Sequence, residues 1–323
     1  MKWSFALALA ATLATISAAP AQVYPSRPIT IVIPFPPGGV FDTIGRTIAD
    51  RMKGSLGQSV ILENVGGANG AIGVGRVARA SPDGYTLCLG YWGTHVVNAA
   101  IYTLQYDPLK DFEPISLMVA NPQLIVSKNA LPAKDLRELI GWLKDNADKA
   151  TLATVGSGSP AHIAGVFFQQ LTGTRFQLVP YRGGAPAVQD LVAGQVDFSI
   201  LQAGAVLPQV RAGRIRAYAV TAKTRMDSAP DIATADEAGA PGLHLSTWSG
   251  LWAPKGTPSA IVAKLNAAVV DALADPTVRQ RLADIGQEIF PREQQTPEAL
   301  FALQKAEVHK WWSIIKAAEI RAE

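Results

Sequence analysis

Ser159 and His162 stand three residues apart in the stretch "GSGSPAH", with Ser157 two positions earlier. A hydroxyl and an imidazole within reach of each other are the minimum for a nucleophile and its base. A serine hydrolase would carry that nucleophile in G-x-S-x-G at a strand-to-helix elbow. Here the place is right and the pattern is not, and the two side chains run along one helix face. A secreted serine hydrolase using Ser159 and His162 is therefore the alternative reading and not the leading one. The stretch "PFPPGGVFD", with Phe35, Pro37, Gly38, Gly39 and Asp42, has the same plan and no nucleophile.

What the two stretches share is a Gly/Pro turn that leads from a β-rich run into a helical pattern. A helix start leaves backbone N–H groups unpaired and carries a partial positive charge. Glycines let a ligand approach that backbone closely. Each turn is thus suited to hold an anionic group without a Lys or Arg. Ser157 and Ser159 add hydroxyl donors, and Ser159 can instead cap the helix that Pro160 opens. Asp42 either touches a ligand or caps its own helix. His162 either reaches the ligand or pairs locally at its helix start.

Other chemistries find little support. The four histidines, His95, His162, His244 and His309, are scattered, and H-E-x-x-H is absent. Without cysteine support no metal is expected. Neither turn matches the nucleotide P-loop, and "GVGRVA" lacks the acidic residue that completes a dinucleotide site, so no cofactor is expected. Asp107 and Asp111 sit among prolines on a solvated loop. Cys88, the single cysteine, lies in the apolar run "YTLCLGY" and reads as a small core residue.

These turns need a frame, and the chain alternates strand-like and helix-like segments throughout. "ITIVIPF", "SVILEN", "YTLCLGY", "QLIVSK", "ATLATVG", "FQLVPY", "VDFSIL" and "IRAYAVTA" read as strands. Helical patterns lie between them, including "LRELIGWLKDN" with Leu136, Leu139, Ile140 and Leu143 on one face. Two helices broken at Pro276 and a long helix over 297–318 close the chain. This alternation predicts an α/β fold with largely parallel sheets. The two anion-suited turns lie about 120 residues apart, the spacing expected if each of two domains contributes one. Open α/β sheets bind ligands at the carboxyl ends of their strands.

Composition agrees. Of 323 residues 48% are hydrophobic and 17% charged, and the net charge is +3 with no long basic run. That is a globular chain with room for two domains and no support for nucleic-acid binding. Met1 and Lys2 precede an apolar Ala-rich stretch and then "SAAPAQ". This predicts a secretory signal over residues 1–21, cleaved near Ala21, and a periplasmic mature protein.

The stretches "YPSRPITIVIPFPPGGVFDTIGR", "ENVGGANGAIG", "SPDGYTL", "YDPLKDFEPISL", "GSGSPAHIAG", "VPYRGGAPAVQDLVAGQVD", "AGRIRAYAVT", "APDIATADEAGAPG" and "WSGLWAPKGTP" occur in this order. In that order and spacing the chain resembles the Bug-type (tricarboxylate-receptor) periplasmic substrate-binding proteins of tripartite tricarboxylate transporters. The resemblance covers nearly all the chain after the leader. It implies a two-domain periplasmic-binding-protein fold, type II-like, with two hinge crossings. Domain 1 would take residues 22–122 plus 244–323 and domain 2 residues 123–243, with the last helix packed on domain 1. It implies a ligand carboxylate enclosed between the domains and held by loop backbone, hydroxyls and water. It also implies a monomer that delivers its ligand to membrane transporter subunits or to a sensor protein.

Residue by residue, the resemblance carries to Phe35, Pro37, Gly38, Gly39 and Asp42 in the first loop. Thr94, His95 and Asn98 match the third-strand loop, and Ser157, Ser159 and His162 the second-domain loop. Tyr181, Gly183, Gly184 and Ala185 match the turn after the next strand. Two departures bear on the ligand. Pro160 and Ala161 stand where the family often has hydroxyls, and Leu201 and Gln202 where it often has Asp and Asn. A lost carboxylate leaves less to balance an ammonium, so a plain carboxylate, aliphatic di- or aromatic, is expected over an amino acid. Tyr91 and Trp92 either stack on an aromatic ligand or are buried at the strand end.

Overall fold

The computed structural model describes residues 23–321, so the leader and its cleavage near Ala21 lie outside the described residues. In chain order the elements begin with strand Ile29–Ile33 (β1), helix Val40–Leu56 (α1), strand Val60–Asn64 (β2), helix Ala71–Ala78 (α2) and strand Thr86–Tyr91 (β3). Helix Asn98–Ile101 (α3), strand Phe112–Lys128 (β4), helix Leu136–Asp145 (α4), strand Thr151–Thr154 (β5) and helix Pro160–Thr172 (α5) follow. Then come Gln177–Pro180 (β6), Gly184–Ala193 (α6), Phe198–Gln202 (β7), Ala203–Arg211 (α7), Ile215–Val220 (β8) and Ala235–Ala238 (α8). Ser246–Pro254 (β9), Ser259–Ala274 (α9), Pro276–Asp284 (α10), Glu288–Ile289 (β10) and Pro297–Ala317 (α11) complete the chain.

The run "ITIVI" is β-branched at every position, which favours an extended backbone. Its alternation sends Ile29, Ile31 and Ile33 into one core with Ile44, Ile48 and Met52 of α1 and Leu265 and Val269 of α9. Val32 points the other way, into a core with Val74, Val77 and Cys88. Both faces of β1 are therefore covered, as a parallel strand requires. Local chemistry sets the helix ends. Asp275 caps α10 by accepting from the N–H groups of Thr277 and Val278, with Pro276 following it. Thr296 caps α11 by accepting from Ala299, ahead of Pro297.

The strands run in the order β2-β1-β3-β9-β4-β7-β5-β6, with β8 and β10 also paired to β4. β1 is parallel to β2 and β3, and β5 is parallel to β6 and β7. The expectation of largely parallel sheets fails between these flanks. β9 runs antiparallel to both β3 and β4, and β4 is antiparallel to β7, β8 and β10. β4 pairs with β9 from Phe112 to Pro122 and with β7 from Gln123 to Ser127, so one strand passes through both lobes. The sequence reading found only the second half of β4, "QLIVSK". Pro114 and Pro122 in the first half argue against a central strand. The ladder accommodates the first half with register shifts at Pro114/Ser116 and Leu117/Val119. β9 was also missed, because "STWSGLWAP" mixes hydroxyls and a glycine into a run that is buried along almost its whole length. A side chain at Gly250 would press on Leu300, so glycine lets α11 settle onto the sheet.

α11 does more than pack on the first lobe. Trp311 meets Trp92 of that lobe edge-on at 5.6 Å and Phe167 of α5 at 5.3 Å. The C-terminal half of α11 thus ties both lobes from one side.

Candidate ligand-binding cleft

The carboxyl ends of β1, β5, β6 and β7 each lead into a helix, namely α1, α5, α6 and α7. At the first of these Gly39 is the N-cap and no side chain caps α1. Gly38, at φ +83, makes the turn. Its N–H donates to Asp42 Oδ2 at 2.9 Å, and Arg46 Nε donates to the same oxygen at 2.9 Å. Oδ1 accepts from Arg46 Nη2 and Asn64 Nδ2, both at 3.1 Å, and Asn64 also holds the Phe35 carbonyl. The Arg46 guanidinium and the Gly38 N–H hold the Asp42 carboxyl down at about 2. Asp42 is nearly buried and both of its oxygens are engaged inside the loop. It shapes the loop that Phe35, Pro37, Gly38 and Gly39 present.

In the second lobe Ser159 caps α5, its Oγ accepting from His162 N–H at 3.2 Å. The Gly158 N–H donates to His162 Nδ1 at 3.1 Å. That bond places the imidazole proton on Nε2 and leaves no base aimed at Ser159. The hydrolase alternative fails on this geometry. Ser157 Oγ donates to the Arg321 carbonyl at 2.9 Å, a second tie from the C-terminal segment to this lobe. Gly183, at φ +112, is the N-cap of α6 and Gln202 that of α7, and neither helix has a side-chain cap. Gly184 and Ala185 form the first turn of α6. Tyr181 donates to Asp190 on the same helix, and burial with that carboxylate raises its hydroxyl to about 12.

The third-strand loop departs from expectation. Trp92 is fully buried, and its Nε1 donates to Glu307 Oε2 at 2.9 Å beside Trp311. Trp92 is therefore not a stacking surface for a ligand, since the turn after β3 aims it at α11. Thr94 is also fully buried. Its hydroxyl accepts from Tyr91 N–H at 3.1 Å and lies 2.9 Å from His95 Nδ1, so it closes the turn and does not face the cleft. His95 stacks on Trp252 at 3.8 Å. Asn98 exchanges hydrogen bonds with Asn69. These residues of the expected set are scaffold.

Tyr91 points the other way from Trp92. It forms an aromatic wall with Phe35 and Phe41, the ring centroids lying 4.6–5.4 Å apart. Below the wall Val40, Phe41, Tyr91, Asn121, Gln202, Thr247, Ser249 and Gln287 line a cavity of about 20 Å³. Register builds its floor. Tyr91 pairs with Ser249, Asn121 with Thr247, and Gln123 with Gln202, so one face of three strands carries a polar stripe. Thr247 Oγ1 donates to the Asn121 carbonyl at 3.2 Å, and Gln202 Nε2 reaches Thr247 Oγ1 at 3.5 Å. The cavity has no charged residue in its lining. Of the residues named from sequence, Tyr91 and Gln202 belong here. Phe41, Asn121, Thr247, Ser249 and Gln287 were missed. The available signal was polar residues at alternate positions, Asn121/Gln123 and Thr247/Ser249, inside otherwise apolar runs.

Residues 44–320 match the model of the tripartite tricarboxylate transporter family receptor. The chain belongs to this family. It is a solute-binding receptor and not an enzyme. The receptor is 38% identical to the periplasmic binding protein BugD, whose structure matches with a TM-score of 0.75 over 93% of this chain and 100% of that one. MatC from Rhodopseudomonas palustris, solved with bound malate, is 40% identical with a TM-score of 0.76 over 90% and 100% of the two chains. A third protein, from R. palustris and solved with adipate, is 33% identical with a TM-score of 0.78 over 92% and 99%. Two α/β lobes in the periplasmic-binding-protein arrangement are thus the fold of this receptor. No helix among the described residues is long and apolar enough to cross a membrane.

Proposed function

We propose that the receptor, exported by its leader, captures a small carboxylate in the periplasm by closing residues 22–122 plus 244–323 against residues 123–243. The observation that carries this reading is the set of helix starts without side-chain caps, at Gly39, Gly183 and Gln202, gathered at strand carboxyl ends. Unpaired N–H groups and helix dipoles there favour an anion without a fixed cation. Phe35, Pro37, Gly38, Gly39, Ser157, Ser159, His162, Gly183, Gly184, Ala185 and Gln202 are the proposed contacts. The malate and adipate held by two similar proteins support the carboxylate class.

A plain carboxylate, aliphatic di- or aromatic, is favoured over an amino acid. Asp42, a carboxylate near the cleft, is engaged by Arg46 and Gly38, and Leu201 stands where the family often has the Asp that would balance an ammonium. The aromatic wall of Phe35, Phe41 and Tyr91 suits an apolar ligand body. Ligand bridges both lobes only when they are shut, so binding shifts the population to the closed form. The closed monomer then hands its ligand to membrane subunits of a tripartite transporter or to a sensor.

Thermal unfolding of the mature chain against dicarboxylates, tricarboxylates, aromatic acids and amino acids tests this. A ligand at 100 times its Kd adds about 2.7 kcal/mol. A shift with a carboxylate class and none with amino acids is expected. Stabilisation by amino acids alone overturns the reading.

A further inference from the structure

Asn121 sits on β4 next to the point where that strand changes partners, between Pro122 and Gln123. It is 5% exposed, and its Oδ1 has no hydrogen-bond partner among the described residues. A buried acceptor left unmade is costly, so such groups call for an explanation. The neighbours do not supply a donor. Thr247 donates to the Asn121 backbone carbonyl, Gln287 Nε2 to the Ile285 carbonyl, and Gln123 Nε2 also to the Asn121 carbonyl. The Ser249 hydroxyl, on the same face, makes no hydrogen bond among the described residues. Asn121 therefore lines the cavity with an unmet acceptor, beside a free hydroxyl and the Gln202 amide.

Size and charge narrow what enters. About 20 Å³ accommodates one oxygen-sized group, since a single water needs roughly 10–15 Å³ on the same measure. A carboxylate or a ring is too large for it. A carboxylate would also place negative charge against Asn121 Oδ1 with no cation in the lining. An ammonium would have no carboxylate to balance it. A hydroxyl fits on each count: it donates to Asn121 Oδ1 and accepts from Ser249 Oγ or Gln202 Nε2.

We infer that the ligand is a hydroxylated carboxylate, whose hydroxyl enters the cavity between Asn121, Gln202 and Ser249 while its carboxylate meets the helix starts. This rests on the carboxylate reading above and narrows it. A site built to hydrogen-bond a hydroxyl rejects the analogue that lacks it, because the buried groups are then left unpaired. The cavity thereby acts as the specificity determinant at the hinge.

Calorimetric titration of matched pairs tests it: succinate with malate, glutarate with 2-hydroxyglutarate, and benzoate with 4-hydroxybenzoate. In at least one pair the hydroxylated member is expected to bind the wild-type protein tenfold tighter or more. That ratio is expected to fall below threefold in Asn121→Leu, which keeps the side-chain shape and removes the acceptor. Ser249→Ala, a smaller change, should reduce the same ratio and carries the test if Asn121→Leu does not fold. Equal affinities within every pair, or a ratio that survives both substitutions, overturns the inference and leaves the carboxylate reading standing. Binding of no carboxylate from any pair overturns both.

Discussion

Gly204 and Gly286 touch backbone to backbone across the seam between the lobes. A Cβ on Gly204 would stand 2.7 Å from the Ile285 carbonyl, and one on Gly286 would overlap the Gly204 Cα. Gly204 opens α7 in the second lobe, while Gly286 precedes β10, which pairs with the first-lobe half of β4. The seam lies beside the cavity, because Gln202 and Gln287 flank the two glycines and both line it. Gly204→Ala keeps a helical backbone and inserts one methyl into this contact. Overpacking of this kind costs about 1–3 kcal/mol. The lobes are expected to relieve it by standing further apart, with ligand affinity falling about tenfold and secondary structure unchanged. Calorimetry together with small-angle scattering of the ligand-saturated protein checks both parts.

Asp42 links stability to acid pH. Its folded value of about 2 lies below the ordinary 3.8. Its contribution is therefore fully present above about pH 4 and is lost as pH falls toward 2. Asp42→Asn should flatten the stability profile in that window and cost about 1–3 kcal/mol at neutral pH, chiefly through the Gly38 and Asn64 contacts. The exposed Arg46 is screened by solvent and adds less. Urea denaturation from pH 2 to 7 measures the difference.

His95 acts in a higher window. Burial against Trp252 lowers its imidazole to about 3, against 6.5 for a free group. The unfolded chain takes up a proton below pH 6.5 and the folded chain does not. Stability therefore rises with pH between about 3 and 6.5, by at most about 1.4 kcal/mol per pH unit from this group. His95→Phe keeps a ring on Trp252 and should remove that slope. The wild-type and variant profiles should part between pH 6.5 and 4, a range in which Asp42 contributes little change.

Trp92 and Phe41 separate stability from binding. Trp92→Phe removes a hydrogen bond to Glu307, a buried carboxyl whose pKa burial raises. A loss of about 1–3 kcal/mol in stability is expected, with affinity changed less than threefold. Phe41→Ala opens the aromatic wall and should weaken the ligand about tenfold or more. Melting curves and titrations of the two variants decide between them, and an affinity loss in Trp92→Phe would put that ring back at the ligand.

Much of the fold was legible because its signals are local. The β-branched run of β1, the Ser159-Pro160 and Asp275-Pro276 helix starts and the Gly38-Gly39 turn each depend on neighbours a few residues away. Cys88 as a core residue follows in the same way from the apolar run around it. The motif order that identified the family is likewise a property of the chain read end to end.

Tertiary structure decided the antiparallel centre and the floor of the cleft. Asn121, Gln202 and Thr247 lie far apart in sequence and meet only through the register of β4 with β7 and β9. Nothing near any one of them announces that pairing, and the prolines in β4 argue locally against it. The sequence also placed Tyr91 and Trp92 at a strand end without saying which would face the cleft. Pairing of Tyr91 with Ser249 and docking of α11 on Trp92 made that choice. Periodicity and capping act over one turn or one strand, and the sequence carries them. Register between distant strands is set by the packing of the whole sheet, so only the folded molecule shows which polar groups it leaves together.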